Sequence, residues 1–159
     1  MYFWKNTHMK TQLAIQLHNR KIFHHYLKHF SLEQLNAIPE GFNNNILWNI
    51  AHTMVTHQLL MYKRSGLEMH VPEAWVTSFS KGSKPERNFT AEEVQAIDAA
   101  LFSTYEQFEA DLAQGRFTAM KPYTTSTQMV LDSVETTQNF VLFHDGIHLG
   151  SVLALAKLV

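Results

Sequence analysis

The 159-residue chain contains no cysteine, so it has no disulfide, no thiolate metal ligand and no cysteine nucleophile of its own. It also lacks any run of about 18 apolar residues, the length that a transmembrane helix needs. The N-terminal sequence MYFWKNTHMK has neither the apolar core nor the small-residue cleavage site of a signal peptide. These absences predict a cytoplasmic protein with no membrane partner.

An excess of positive charge is missing as well. The chain has 13 basic and 14 acidic side chains, and its formal net charge is −1 with neutral histidines. Proteins that bind the phosphate backbone of DNA or RNA usually carry a basic excess, so we expect no nucleic acid partner. Apolar residues make up 45% of the chain, and histidine occurs 10 times. This apolar fraction predicts one packed domain, residues 1–159.

Four stretches have the three-to-four-residue apolar spacing of amphipathic helices. We predict helices at about 9–30, 44–64, 90–114 and from 133 almost to the C-terminus. In the first, the residues expected on the buried side are Ile15, Ile22, Phe23, Tyr26, Leu27 and Phe30. Strand-type alternation is absent apart from a short threonine-rich stretch near Tyr123. The pattern predicts an all-α four-helix bundle.

Two irregular stretches, residues 67–89 and 116–132, separate the later predicted helices. The first makes a long connection between helices 2 and 3, and such connections are usually functional or partly helical. It contains Trp75, and burial of this indole would make the connection a wall of a cavity. The third helix has a clear start, because Thr90 followed by Glu93 forms a capping box.

The segment FHDGIHLG, residues 143–150, contains two histidines four residues apart. On a helix, His144 and His148 share one face with Cβ atoms about 5–6 Å apart. Two imidazoles placed in this way can bind one metal ion, as the histidines of helical HExxH motifs do. Here Asp145 follows the first histidine and is turned roughly 100° from it, so the mechanism of that motif does not transfer. Alternatively, the two histidines hydrogen-bond to backbone, water or each other.

A third ligand must come from another helix, and His52 is the best candidate. It shares an apolar helix face with Trp48, Val55 and Leu59. His57 lies on a different side of the same helix and is expected to be a hydrogen-bonded histidine at a helix interface. His25 and His29 are also four apart, but they fall at the polar edge of the first helix. That position favours a solvent-facing or oligomer-facing role.

The segments WNIAH at 48–52 and HDGIHLG at 144–150 together resemble the DinB/YfiT-like metalloenzymes. The resemblance covers nearly the whole chain in helix order and loop placement. It implies a four-helix bundle with an up-down-down-up arrangement. It also implies a divalent metal site carried by His52, His144 and His148, and a homodimer, which family members commonly form.

Three histidines leave one position of a tetrahedral ion open, which is the arrangement of a catalytic site. Neutral imidazoles suit Zn²⁺ or Ni²⁺. Some relatives are transferases that use a low-molecular-weight thiol, and others isomerise or hydrolyse. We therefore predict a metal-dependent hydrolase or thiol transferase that acts on a small molecule. Its pocket would be roofed by residues 67–89, with a mouth among Trp48, Trp75 and the histidines.

The sequence leaves two questions about this prediction open. A non-catalytic helical module for metal binding or protein interaction is the alternative function. Catalytic residues cannot be assigned, because Asp145, Glu68 and Asp132 are candidates for a general base only by sequence proximity to the site or its loops.

Overall fold

Four long helices form the body of the molecule in the computed structural model, which describes residues 7–159. In chain order the elements are α1 (Thr7–His29), α2 (Leu32–Asn36), α3 (Ile46–Met61), α4 (Glu73–Phe79), α5 (Ala91–Ala113), β1 (Tyr123–Thr124), β2 (Val130–Leu131) and α6 (Val134–Leu155). The long helices are α1, α3, α5 and α6, so the predicted all-α bundle is confirmed. Residues 1–6, part of the N-terminal sequence considered above for a signal peptide, lie outside the described range.

Side-chain caps determine where three of the long helices begin. Asn45 accepts a hydrogen bond from the backbone N–H of Trp48 at 2.8 Å and so starts α3. Thr90 and Glu93 form the predicted capping box of α5, and Ser133 starts α6 in the same way. Each cap provides an acceptor for N–H groups that have no partner within the helix. The caps of α3 and α6 thereby fix the first residues of the two helices that carry His52, His144 and His148.

Helix α3 is the central helix of the bundle. All of its residues except Thr56 and Leu59 are buried, and its most extensive contact is with α6. A helix that is buried all round must be surrounded by other elements, and α2, α4 and α5 also contact α3. Residues on α3 can therefore meet residues from distant parts of the chain.

The predicted buried face of α1 is partly wrong. Ile15 is 45% exposed, whereas the buried stripe includes four polar residues: Gln12, Gln16, Asn19 and Arg20. Gln16 accepts a hydrogen bond from Gln138 Nε2 at 3.0 Å, and Gln12 Nε2 donates to Asn139 Oδ1 at 2.5 Å. The two glutamines tolerate burial because α6 provides one partner for each of them.

The prediction of a hydrogen-bonded His57 is also wrong. His57 is fully buried, and neither of its ring nitrogens is hydrogen-bonded within residues 7–159. Its ring packs edge-on against Phe108, with centroids 4.5 Å apart. Burial, reinforced by the charge of Arg20, lowers the pKa of His57 to about 3, so the neutral ring fills space in the interior. It belongs to what we call the buried polar cluster, which consists of Gln16, Arg20, His57, Gln138 and Asp145.

The long connection between α3 and α5 is partly helical, as predicted, because it contains α4. Trp75 on α4 is half-buried and packs against the main apolar core. In the second irregular stretch, Tyr123 pairs with Leu131 in a two-residue antiparallel ladder. None of the helices in the described part of the chain is long and apolar enough to cross a membrane.

Candidate metal site

The structure brings His52 of α3 together with His144 and His148 of α6. One ring nitrogen from each histidine lies within 4.8 Å of the other two. Within residues 7–159, no other group of three or more histidine or carboxylate side chains has this spacing. His25 and His29 are exposed, and their rings contact each other at 3.9 Å on the outside of α1. The sequence therefore selected the three histidines that converge.

Hydrogen bonds determine the tautomers of two of these histidines. His52 Nδ1 lies 2.5 Å from the carbonyl oxygen of Phe79, which can only accept, so Nδ1 carries the proton. His148 Nδ1 lies 2.8 Å from Asn49 Oδ1. The Asn49 amide nitrogen donates to the Asn45 carbonyl at 2.8 Å, so its oxygen is the atom that accepts from His148. Both Nε2 atoms are therefore unprotonated, the form that a metal ligand requires.

The spacing of one pair of ring nitrogens fits a divalent cation. The Nε2 atoms of His52 and His144 are 3.2 Å apart. Zn–N bonds of about 2.0–2.1 Å at a tetrahedral angle separate two ligand nitrogens by about 3.3 Å. Without a cation, His144 would have to direct an Nε2–H at His52, which is the hydrogen-bonded alternative considered above. The three imidazole donors and the spacing of this pair thus suit an ion of the size of Zn²⁺ or Ni²⁺.

Burial keeps the three imidazoles neutral near pH 7. The pKa of His144 falls to about 3, because burial disfavours the imidazolium and the other two histidines add repulsion. Burial, with a smaller contribution from His52, lowers the pKa of His148 to about 4. The pKa of His52 is also lowered by burial, and the Phe79 carbonyl opposes part of that shift. Neutral imidazoles are the form that binds a cation.

Trp48 connects the site to the long connection between α3 and α5. Its indole stacks on the ring of His52 with centroids 4.5 Å apart and planes 10° apart. Its Nε1 donates to the Ser78 carbonyl at 3.0 Å, and Ser83 Oγ lies 3.2 Å away. Phe79, the last residue of α4, provides the acceptor for His52. The tryptophan of the WNIAH segment therefore holds both the histidine ring and the connection that orients it.

The three histidines lie in the wall of a pocket of about 630 Å³. Its lining comes from four regions of the chain: Asn44, Trp48, His52, Thr56, Leu59, Leu60, Lys63 and Arg64 of α3 and its flanks; Lys81 and Gly82 after α4; Lys121, Tyr123, Thr125 and Ser126; and Phe140, His144 and His148 of α6. The expected roof of residues 67–89 contributes only Lys81 and Gly82. Trp75 is not a lining residue, because it packs into the apolar core instead.

None of the three candidates for a general base lines this pocket. Asp145 is fully buried on another side of α6, beside Arg20 and Asn19. Glu68 and Asp132 are exposed outside it. Helical geometry accounts for Asp145, since a residue next to His144 points roughly 100° away.

Sequence reasoning missed Asn49, Thr56 and the wall between Lys121 and Ser126. Asn49 was detectable in principle, because it precedes His52 by three residues and so lies on the same side of α3. Thr56 follows His52 by four residues, and its hydroxyl is 3.3 Å from His52 Nε2. No local sequence pattern predicts that residues 121–126 line the pocket, because their position depends on how the second irregular stretch folds back against α3.

The sequence profile of the DinB superfamily matches residues 17–152, a range that contains all three histidines and the whole of the pocket lining. No curated protein and no solved structure is significantly similar to the chain.

Proposed function

Because the chain belongs to the DinB superfamily, we propose that it is a metal-dependent enzyme that acts on a small molecule at His52, His144 and His148. The observation that carries the proposal is the convergence of these three neutral imidazoles in the wall of a large pocket. Three protein ligands leave one position of a tetrahedral ion free, as in catalytic sites, whereas structural zinc sites use four. The pocket volume of about 630 Å³ is within the range of small-molecule sites.

We propose one of two reaction classes: hydrolysis of a small-molecule substrate, or transfer that depends on a low-molecular-weight thiol. A bound divalent ion, Zn²⁺ or Ni²⁺ by ligand type, supplies a Lewis acid that lowers the pKa of water or a thiol, or polarises a substrate group. The chain provides the rest: Asn49 and the Phe79 carbonyl orient the imidazoles, and Thr56 places a hydroxyl beside them. Since the chain has no cysteine, any thiol must come from outside.

The first experiment is elemental analysis of tag-free protein after exposure to Zn²⁺ or Ni²⁺ and removal of free metal. We expect about one ion per chain, together with metal-dependent turnover in a screen of esters, amides and electrophiles with and without an added thiol. Failure to bind either ion would overturn the proposal. An ion whose removal unfolds the chain and that supports no turnover would indicate the alternative, a non-catalytic metal-binding module.

Replacing Asn49 with leucine is expected to weaken metal binding without removing a ligand. The substitution deletes the acceptor that orients His148, and loss of such a partner usually lowers metal affinity about 10–100-fold. Competition with a chromophoric chelator measures the Kd for Zn²⁺. Asn49→Asp is the matched control, because it keeps an acceptor oxygen at the same position. Equal Zn²⁺ affinity in folded Asn49→Leu and the parent would show that this hydrogen bond does not orient the ligand.

We also propose that two copies of the chain pair through the exposed apolar face of α6. Phe143 and Ile147 on this face are 55% and 49% exposed, and Gly146 and Gly150 leave room for close approach. Exposed apolar patches commonly mark contact surfaces, and the family resemblance implies a homodimer. Sedimentation equilibrium tests the pairing, and a parent chain that stays monomeric at high concentration would exclude it.

The cytoplasmic location stays a prediction.

A further inference from the structure

Four basic side chains lie around the pocket that contains the histidines. They are Lys63, Arg64, Lys81 and Lys121, which we call the cationic rim. The rim holds four of the 13 basic residues in a chain whose formal net charge is −1. Within the described residues, no aspartate or glutamate lines the same pocket. Positive charge is therefore concentrated at this one opening although the chain as a whole is nearly neutral.

The rim is assembled from three separate segments that the fold ties together. Lys63 and Arg64 follow the end of α3, Lys81 follows α4, and Lys121 precedes β1. The backbone N–H of Lys121 donates to the Arg64 carbonyl at 2.8 Å, which joins two of the segments directly. The Arg64 guanidinium lies 4.3 Å from the centre of the Tyr123 ring, which also lines the pocket. These contacts place Arg64 and Lys121 side by side in the pocket wall.

Apolar side chains line the same pocket beside the histidines. Trp48, Leu59, Leu60 and Phe140 contribute this surface. Walls of low polarity strengthen the field of the nearby cations and concentrate ligands of the opposite charge. Lysine and arginine are also the side chains that proteins use to bind carboxylates and phosphates. The pocket thus combines an apolar surface, a cationic opening and the candidate metal ligands.

We infer that the ligand of this pocket is an anionic small molecule. Its carboxylate or phosphate lies at the cationic rim, and its apolar part packs between Leu59, Leu60 and Phe140 toward the histidines. The inference names the substrate or co-substrate class of the same site, and in that sense it rests on the proposed function. Anion binding itself requires the rim and the walls, so it can be measured on the metal-free protein.

The test compares two dyes that share one aromatic scaffold. The anionic probe is 8-anilinonaphthalene-1-sulfonate, and N-phenyl-1-naphthylamine is its neutral counterpart without the sulfonate. Fluorescence titration of the metal-free chain gives a Kd for each probe. Removing one exposed charge should weaken binding of the sulfonate about two- to fivefold, so Lys81→Gln/Lys121→Gln should weaken it about tenfold. The neutral probe should bind the parent and this variant equally.

Lys84→Gln is the matched control, since Lys84 lies three residues from Lys81 and is exposed outside the pocket lining. It should leave the Kd of both probes unchanged. Raising the salt concentration from about 0.05 M to about 0.5 M should weaken binding of the anionic probe only, because salt screens the charges of the cationic rim. An unchanged Kd for the sulfonate in Lys81→Gln/Lys121→Gln would overturn the inference. Equal losses for both probes would overturn it too, since they would indicate altered packing.

Competition identifies the anionic group. Displacement of the bound sulfonate by 3-phenylpropionate would indicate a carboxylate ligand, and displacement by phenyl phosphate would indicate a phosphate ester. Both outcomes support an anionic ligand, whereas failure of both compounds to compete would contradict it.

Parallel measurement of Zn²⁺ binding separates this inference from the proposed function. Lys81→Gln/Lys121→Gln should keep the zinc stoichiometry of the parent, because neither lysine is a metal ligand. Rim-dependent binding of the sulfonate by a chain that takes up no metal would refute the proposed function and leave the anion site standing. Stoichiometric zinc binding without any difference between the two probes would refute only the anion site.

Discussion

Replacing His144 with alanine is expected to abolish metal binding and turnover while the helical fold remains. The parent should hold about one divalent ion per chain and the variant close to none, because two imidazoles cannot retain an ion that needs three protein ligands. The effect should exceed the about 10–100-fold loss that follows removal of a ligand's hydrogen-bond partner. Elemental analysis measures the stoichiometry, and circular dichroism of the metal-free proteins measures helicity.

His25→Ala is the matched control for this experiment. It removes the same side chain from another H-x-x-x-H pair, but His25 is exposed on α1 and has no third ligand nearby among the described residues. We expect it to keep both metal and activity. Full metal occupancy in folded His144→Ala would contradict the three-histidine site. Equal losses in both variants would show that the ion is held by surface histidines.

Replacing Arg20 with methionine is expected to destabilise the fold by about 1–3 kcal/mol, because it leaves the buried Asp145 carboxyl without a nearby opposite charge. Arg20 and Asp145 are both 0% exposed in the buried polar cluster. None of the guanidinium nitrogens of Arg20 is hydrogen-bonded within residues 7–159, so the charge of Asp145 is its main compensation. Without Arg20, the Asp145 carboxyl would lose the positive charge that offsets its burial. Urea unfolding of the metal-free proteins measures the change.

Two further variants test the cause of that loss. Arg20→Met/Asp145→Leu removes both charges and should be less destabilised than the sum of its single variants, with a coupling of about 0.5–3 kcal/mol. Lys21→Met makes the same kind of change at the exposed neighbouring position and should stay within about 0.5 kcal/mol of the parent. A free energy of unfolding for Arg20→Met equal to that of the parent would show that the buried pair contributes no stability.

The helices and their starts could be predicted because their determinants are local. Capping by Thr90 and Glu93 operates over three residues, and the four-residue spacing of His144 and His148 sets their shared face directly. His52 was selected by the same local geometry, as the histidine on the apolar face of its helix. Apolar spacing predicted the wrong position for Ile15 on α1, because the face of this helix that is buried carries four polar side chains.

By itself, the sequence determined the all-α class, the boundaries of the four long helices to within a few residues, and the three histidines that converge. The first two follow from interactions between residues close together in the chain, and the histidines were selected from the helix faces on which they lie. Only the tertiary structure decided that Arg20, His57 and Asp145 share the interior, and that Lys121 and Arg64 border the same pocket. These arrangements depend on how helices and loops far apart in sequence pack together, and the partners that stabilise a buried polar group leave no local pattern.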